Sequence, residues 1–288
     1  MARPKKGAAG AGTLDPAIES TELSITEIKK GTITFCVLGA TPLILHRMSE
    51  KAKHELLYPQ QKTQAQRKQS IKHNPLAEYR ASAYRSVGDD QPTRLLQMAT
   101  AFKKALASVA IDIPGATKAA IGRLTYVTGS YVPIYGTPKL FMSVVRSSDM
   151  AKTPDIRTRC IVPDWAAYVS ISYIKPLLNE KVVANLFASA GIMRGVGDWR
   201  PEKGSGDYGQ FELVDSNDPR FLAIVNTQGR EVQDAALEAP EAYDSETSEM
   251  LSWFVAEVEK RGEGDKLKDG DSAYQGNGHD TGETHAEV

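Results

Sequence analysis

Residues 195–206 read Gly195-Val-Gly-Asp-Trp-Arg-Pro-Glu-Lys-Gly-Ser-Gly206, with a GxG at either end and Trp199, Arg200 and Lys203 between them. Glycine loses more freedom on folding than any other residue, so such density is expected only where backbone must approach something closely. Exposed amides beside Arg200 and Lys203 suit a phosphate backbone, and Trp199 offers a flat face to a base. Gly195, Gly197, Gly204 and Gly206 with these three side chains are the first candidate binding group. Two readings of Trp199 stay open, stacking on a ligand or packing into the core. Its neighbours Asp198, Arg200, Pro201 and Glu202 supply no apolar partner, which favours stacking. The loop follows a helical pattern and precedes a strand, the reverse of the order in dinucleotide fingerprints and P-loops, and no GxxxxGK[ST] occurs.

Residues able to do acid–base or metal chemistry are sparse. His46 and His54 have the right type for proton transfer, with His46 the weak candidate, but no lysine and tyrosine constellation can be placed beside either. His73, His279 and His285 lie in polar segments without metal-ligand spacing. Asp149, Asp155 and Asp164 would have to converge to hold magnesium, yet Asp is a common turn former, and Asp155 in Pro154-Asp-Ile-Arg157-Thr-Arg159 reads better as an arginine's partner. No catalytic set, metal or cofactor is expected. Cys36 and Cys160 sit in apolar or β-branched stretches, which argues against a disulfide framework and a cysteine zinc site.

Charge points the same way as the loop. The formal net charge of the 288 residues is −1, but residues 231–288 hold 16 acidic and 4 basic side chains, leaving a surplus of +11 on residues 1–230. A basic body attracts polyanions through counterion release, and a tethered acidic segment can compete for the same surface. The densest basic stretch runs from Arg47 to Lys104, with 12 basic against 5 acidic residues. Arg47, Lys51, Arg67, Lys68, Lys72 and Arg80 are therefore assigned to the binding surface, together with Arg157 and Arg159 at a strand entry. No apolar run approaches the roughly 18 residues of a membrane span, and the start MARPKKGAAGAG has no apolar segment behind its basic residues, so a cytoplasmic, reducing location is expected.

These residues need elements to position them. Residues 32–39 read as a strand buried on both faces, 50–57 as a short capped helix, 76–80 as a helical segment and 92–109 as the best amphipathic helix. Strands are predicted within 123–146, 159–165 and 168–174, a helix over 179–190, and a last strand over 210–214, with a peripheral strand possible in 215–230. Residues 246–261 have helical spacing. The order predicts an α+β chain with a ferredoxin-like (RRM-like) βαββαβ core carrying insertions. Its expected divisions are a disordered arm over 1–21, a binding domain over 22–230 with a basic insertion at about 46–90, an acidic linker with a short helix over 231–262, and a disordered acidic tail over 263–288.

A glycine-rich loop with a basic residue inside, between the second helix and fourth strand of such a unit, resembles the repeat-associated mysterious proteins (RAMPs), RNA-binding subunits of CRISPR effector complexes. The likeness covers about residues 159–214 and the first strand. The layout also resembles a bacteriophage-encoded family through PLILHRMSEKA (42–52) and GVGDWRPEKG (195–204). The resemblance implies binding of single-stranded RNA or DNA along sheet and loops, with several copies side by side as a homo-oligomer on one strand. Two alternatives remain: a RAMP-type endoribonuclease using His46, and a non-catalytic assembly protein whose basic face meets an acidic protein partner.

Overall fold

In the computed structural model, residues 27–48, 50–58, 71–88, 90–146, 153–203 and 206–263 are described. The long strand β1, Lys29–Gly39, owes its shape to alternation: Phe35 and Val37 point into the core while Thr32 and Thr34 face water. It is therefore buried on one face for most of its length, not on both as expected, because helices cover the whole of one side of its antiparallel sheet but only one end of the other. The exposed hydroxyls pair across strands instead, Thr32 with Ser172 at 2.9 Å and Thr34 with Ser170 at 2.7 Å.

The chain is a mixed α/β fold with antiparallel sheets. The principal sheet also contains β5 (Thr125–Val127), β9 (Ala166–Lys175) and β10 (Phe211–Val214), in the order β10-β1-β9-β5. On its inner face lie α3 (Ala99–Val109) and α5 (Glu180–Met193), which pack side by side. Phe35, Phe102, Phe187 and Phe211 interlock between them, with ring centroids 5.1–6.3 Å apart. Asn179 starts α5 by accepting the Val182 amide at 2.9 Å, a cap legible in the sequence. The second sheet has the order β2-β8-β7, from Leu43–Leu45, Pro154–Val162 and Lys139–Arg146; the third, β3-β4-β6, uses Tyr84–Arg85, Leu95–Met98 and Tyr131–Pro133. Among the described residues, two short helices, α1 (Glu50–Leu57) and α2 (Pro75–Ala81), lie between β2 and β3, and α4 (Lys118–Leu124) precedes β5.

Four further expectations change. The amphipathic helix begins at Ala99, because Leu95 and Gln97 turn inward with a strand's period and β4 pairs with β6. The strands within 123–146 begin at Thr125, since Arg123 and Leu124 end α4. Residues 215–230 hold helix α6 (Pro219–Thr227), not a strand; Asp218 caps it and Pro219 presets its first turn. Its Phe221 and Ile224 cover one end of the principal sheet's outer face against Leu38 and Ala166.

The fourth concerns 231–262, expected as an acidic linker with one short helix. It forms two helices, α7 (Arg230–Glu238) and α8 (Ser245–Arg261), both packed on the body. Gln233 of α7 is fully buried: its Oε1 accepts the Arg94 and Leu95 amides at 2.8 and 2.9 Å, and its Nε2 donates to the Ile134 and Gly136 carbonyls at 2.8 and 3.0 Å. One side-chain amide thus completes the hydrogen bonding between β4 and the end of β6. Between α7 and α8 the chain runs along β7, the Leu140 amide bonding to Glu241 O and the Tyr243 amide to Leu140 O, both at 2.8 Å. Apart from Glu263, the expected arm and acidic tail lie outside the described residues.

Candidate nucleic-acid interface

Alternation along β8 puts Cys160 and Val162 into the core and Asp155, Arg157, Arg159 and Ile161 on the outward face. Its register with β7 places Phe141 opposite Arg159, Ser143 opposite Arg157 and Val145 opposite Asp155. On the other side Leu45 pairs with Cys160, so His46 follows directly beside Arg159.

The glycine-rich loop folds across this face. The Asp198 amide donates to Ile44 O at 3.0 Å, Gly209 N to Pro42 O at 2.8 Å and Val196 N to Gly209 O at 2.9 Å. Gly195, Gly197 and Gly209 have φ between +64° and +82°, and a Cβ on Gly197 would stand 2.5 Å from the Ile44 carbonyl oxygen. The close approach that glycine permits here is to the protein's own β2 strand. Gly206 similarly lies against the Trp199 backbone. Gly204 lies outside the described residues.

Trp199 takes its apolar partners from elsewhere in the chain. Its ring meets Phe141 edge-on at 6.0 Å and Tyr208 at 6.1 Å, within a small cluster containing Ile44, Ile161 and Tyr243, and it stays partly exposed. The geometry therefore follows the packing reading, the loop having folded back onto a sheet. The Arg159 guanidinium lies over the same ring at 5.1 Å.

Arg159 is the centre of the group. Its side chain is only 8% exposed; Nε donates to Asp198 Oδ2 at 2.9 Å and approaches His46 Nδ1 at 3.3 Å. Nη1 is buried with no hydrogen-bond partner among the described residues, as is Ser143 Oγ on the neighbouring strand. Burial lowers the Arg159 pKa and Asp198 opposes that, but a guanidinium stays charged in either case. His46, 48% exposed, is held below the ordinary imidazole value, first by burial and then by Arg159, against an opposing pull from Asp198. A neutral ring can accept from Arg159 at Nδ1 and donate outward from Nε2.

At the other end of β8, Asp155 gathers Lys72 Nζ at 2.5 Å, His73 Nε2 at 3.0 Å and Arg157 Nε at 3.6 Å. Burial alone would raise its carboxyl; the bonds from Lys72 and His73 outweigh that and hold it below the ordinary carboxylate value. His73 Nδ1 also meets Glu78 Oε1 at 2.9 Å. Ser82 joins the two ends of the basic insertion to the strand, accepting the Arg47 amide on its carbonyl and the Cys160 amide on its hydroxyl, both at 2.7 Å.

Several assigned residues are employed inside the fold. All three Arg200 guanidinium nitrogens are bound within the loop, Nε and Nη2 to Glu202 and Nη1 to Gly197 O, at 2.7–2.9 Å. Arg80 caps α7 by donating to Leu237 O and Glu238 O. Lys203 and Lys72 are exposed, Arg157 is 47% exposed, and Arg47 is half-buried. Arg67 and Lys68 lie outside the described residues, as does the Lys51 side chain. His54 lies beside Tyr58 at 5.2 Å, Asp164 is exposed near the far end of β8, and Asp149, His279 and His285 lie outside the described residues. Among the described residues no group of three His, Cys, Asp or Glu side chains could hold a metal ion, and no helix is long and apolar enough to cross a membrane. Sequence reasoning missed Asp198 and His73, whose partners lie far along the chain: Arg159 for the first, Asp155 for the second.

No protein-family model matches the chain, and no curated protein matches it. Among solved structures, one described as a cryo-EM structure of the Type III-B Cmr-beta bound to cognate target RNA is similar at 15% identity and a TM-score of 0.31. The match covers 65% of this chain and 60% of that one, so the chain spans less than two thirds of its length.

Proposed function

We propose that this protein binds single-stranded nucleic acid across the outward face of β8 and holds the strand without cutting it. The observation that carries this is the Arg159 group: a buried guanidinium nitrogen and a buried serine hydroxyl, both without partners among the described residues, beside Arg157 and the half-exposed His46 ring. Buried donors are nearly always satisfied, and phosphodiester oxygens accept from arginine, hydroxyl and imidazole alike. Lys72 and the basic insertion anchored on β8 extend the same charge. The strand order β10-β1-β9-β5, with α3 and α5 on one face, supports reading the core as a ferredoxin-like βαββαβ unit, the class that the RAMP resemblance implies.

The test is fluorescence anisotropy of a labelled single-stranded oligonucleotide over a salt series. Arg157→Ala should weaken binding and reduce the log-affinity against log-salt slope by about 0.7. An unchanged slope removes this face from the interface. A second reading, RNA cleavage with His46 as a proton-transfer residue, is favoured by its half-exposed ring beside Arg159, whose guanidinium would stabilise charge developing on the phosphoryl oxygens. Intact labelled RNA after prolonged incubation supports holding; cleavage lost in His46→Ala supports the second reading.

A further inference from the structure

The third sheet presents a face that a solvated strand pair would not normally carry. Register puts Tyr84, Leu96 and Pro133 in one row and Met98 and Tyr131 in the next, all on the outward side. Every one of the five is apolar or aromatic, although outward positions of antiparallel sheets are usually polar. Tyr131 is 45% exposed, and its ring centroid lies 5.5 Å from that of Tyr84. A concave site of about 410 Å³ opens here, floored by Leu96, Tyr131 and Pro133 and rimmed by Arg85, Asp90 and Gln91.

Its wall is built in advance. The Ser86 amide and hydroxyl bond to Arg94 O and Thr93 O at 2.9 and 2.8 Å, and Arg94 Nη1 returns to Ser86 O at 2.8 Å. From α7, Arg230 Nη1 holds Gly88 O at 2.6 Å, and Asp234 ties down both arginines. A preformed, mostly apolar hollow of a few hundred Å³ with a few polar groups at its lip has the character of a ligand site. A floor bearing an exposed aromatic ring suits a flat heterocycle, and a rim with both donors and acceptors suits a base edge, which also offers both.

We propose that this hollow seats one unstacked nucleobase of the bound strand, stacked on Tyr131 with its edge toward Asp90 and Gln91. The proposal rests on the single-strand reading above and adds to it a place where a base is read. The test titrates the full chain with the four nucleoside 5′-monophosphates under ligand-detected saturation-transfer NMR. Saturation should reach the base protons, and Tyr131→Ala should weaken that binding about 5- to 150-fold, the loss expected for a stacked base. Tyr131→Ala also removes the ring contact with Tyr84, worth about 0.2–1 kcal/mol, so the titration is run well below the variant's own melting transition. Asp90→Asn should change the order of preference among the four bases, whereas an unchanged order removes Asp90 from the edge contact. Absence of transfer to all four, or transfer indifferent to Tyr131→Ala, overturns the proposal. The oligonucleotide assay separates the two ideas. Binding weakened by Arg157→Ala but untouched by Tyr131→Ala would sink the base site and leave strand binding standing. If the wild type binds no oligonucleotide, strand binding fails and the mononucleotide titration alone decides the hollow.

Discussion

At the scale of single residues, two side chains report on the β8 face in opposite ways. Trp199 packs on Phe141 and Tyr208 and carries the Arg159 guanidinium on its ring, so its removal uncovers apolar surface and loosens the arginine. Trp199→Ala is expected to cost about 2–3 kcal/mol, below the range for a fully buried tryptophan because the ring is partly exposed. Differential scanning calorimetry should show a fall of about 5–10 °C, and an unshifted transition would return Trp199 to the role of a free stacking platform. His46 reports charge. Its pKa is held down by burial and by the arginines, so Arg157→Ala should move its NMR titration upward, while a stationary midpoint would mean that Arg157 does not act on the ring. Because the folded value is lowered, the unfolded chain binds the proton more tightly. The contribution of His46 to stability is therefore present above the ordinary imidazole value and is lost as pH falls from that value through the lowered folded one.

At the scale of elements, the least conspicuous contact is the most consequential. Gln233 satisfies two amides and two carbonyls at the edge of the third sheet. Gln233→Leu leaves those groups buried without partners at roughly 1–3 kcal/mol each, so urea denaturation should show a loss of about 4 kcal/mol or more. A change below about 1 kcal/mol would mean that water reaches them. Sequence alone could not reveal this, since a glutamine in an acidic helix looks like solvent surface until its partners 97–139 residues away are known. Elements with a local signature were legible: α5 has Asn179 as its cap, α8 its apolar spacing, and Asp155 met Arg157 two residues on. Leu95 and Leu96 were not, because an adjacent apolar pair fits a helix face and a strand equally well. Arg80 and Arg200 were assigned outward because a basic side chain discloses its charge and not its acceptor. Arg80 finds carbonyls of α7 157 and 158 residues away, and Arg200 finds Glu202 and Gly197 O.

At the scale of the whole molecule, the charge asymmetry divides between acidic residues built into packed helices and those of residues 264–288. Helices α7 and α8 carry acidic side chains on a packed scaffold, whereas residues 264–288 add six acidic and two basic residues beyond it. Deleting 264–288 changes the net charge by +4 and should tighten oligonucleotide binding most at low salt, where the Debye length is longest. Equal affinity at low salt would show that the segment does not compete for the basic face. The double attachment of the basic insertion has a different kind of consequence. Arg47 is joined through Ser82 to Cys160, while Lys72 and His73 close on Asp155, so the excursion leaves and returns on one strand. Closing such a loop costs chain entropy that grows only with the logarithm of its length, about 0.6 kcal/mol per doubling. Inserting or deleting a few residues within 59–70 should therefore change stability by less than about 1 kcal/mol, while breaking the Ser82 or Asp155 attachment should cost more, so the length of this segment is set almost independently of the two contacts that fasten its ends.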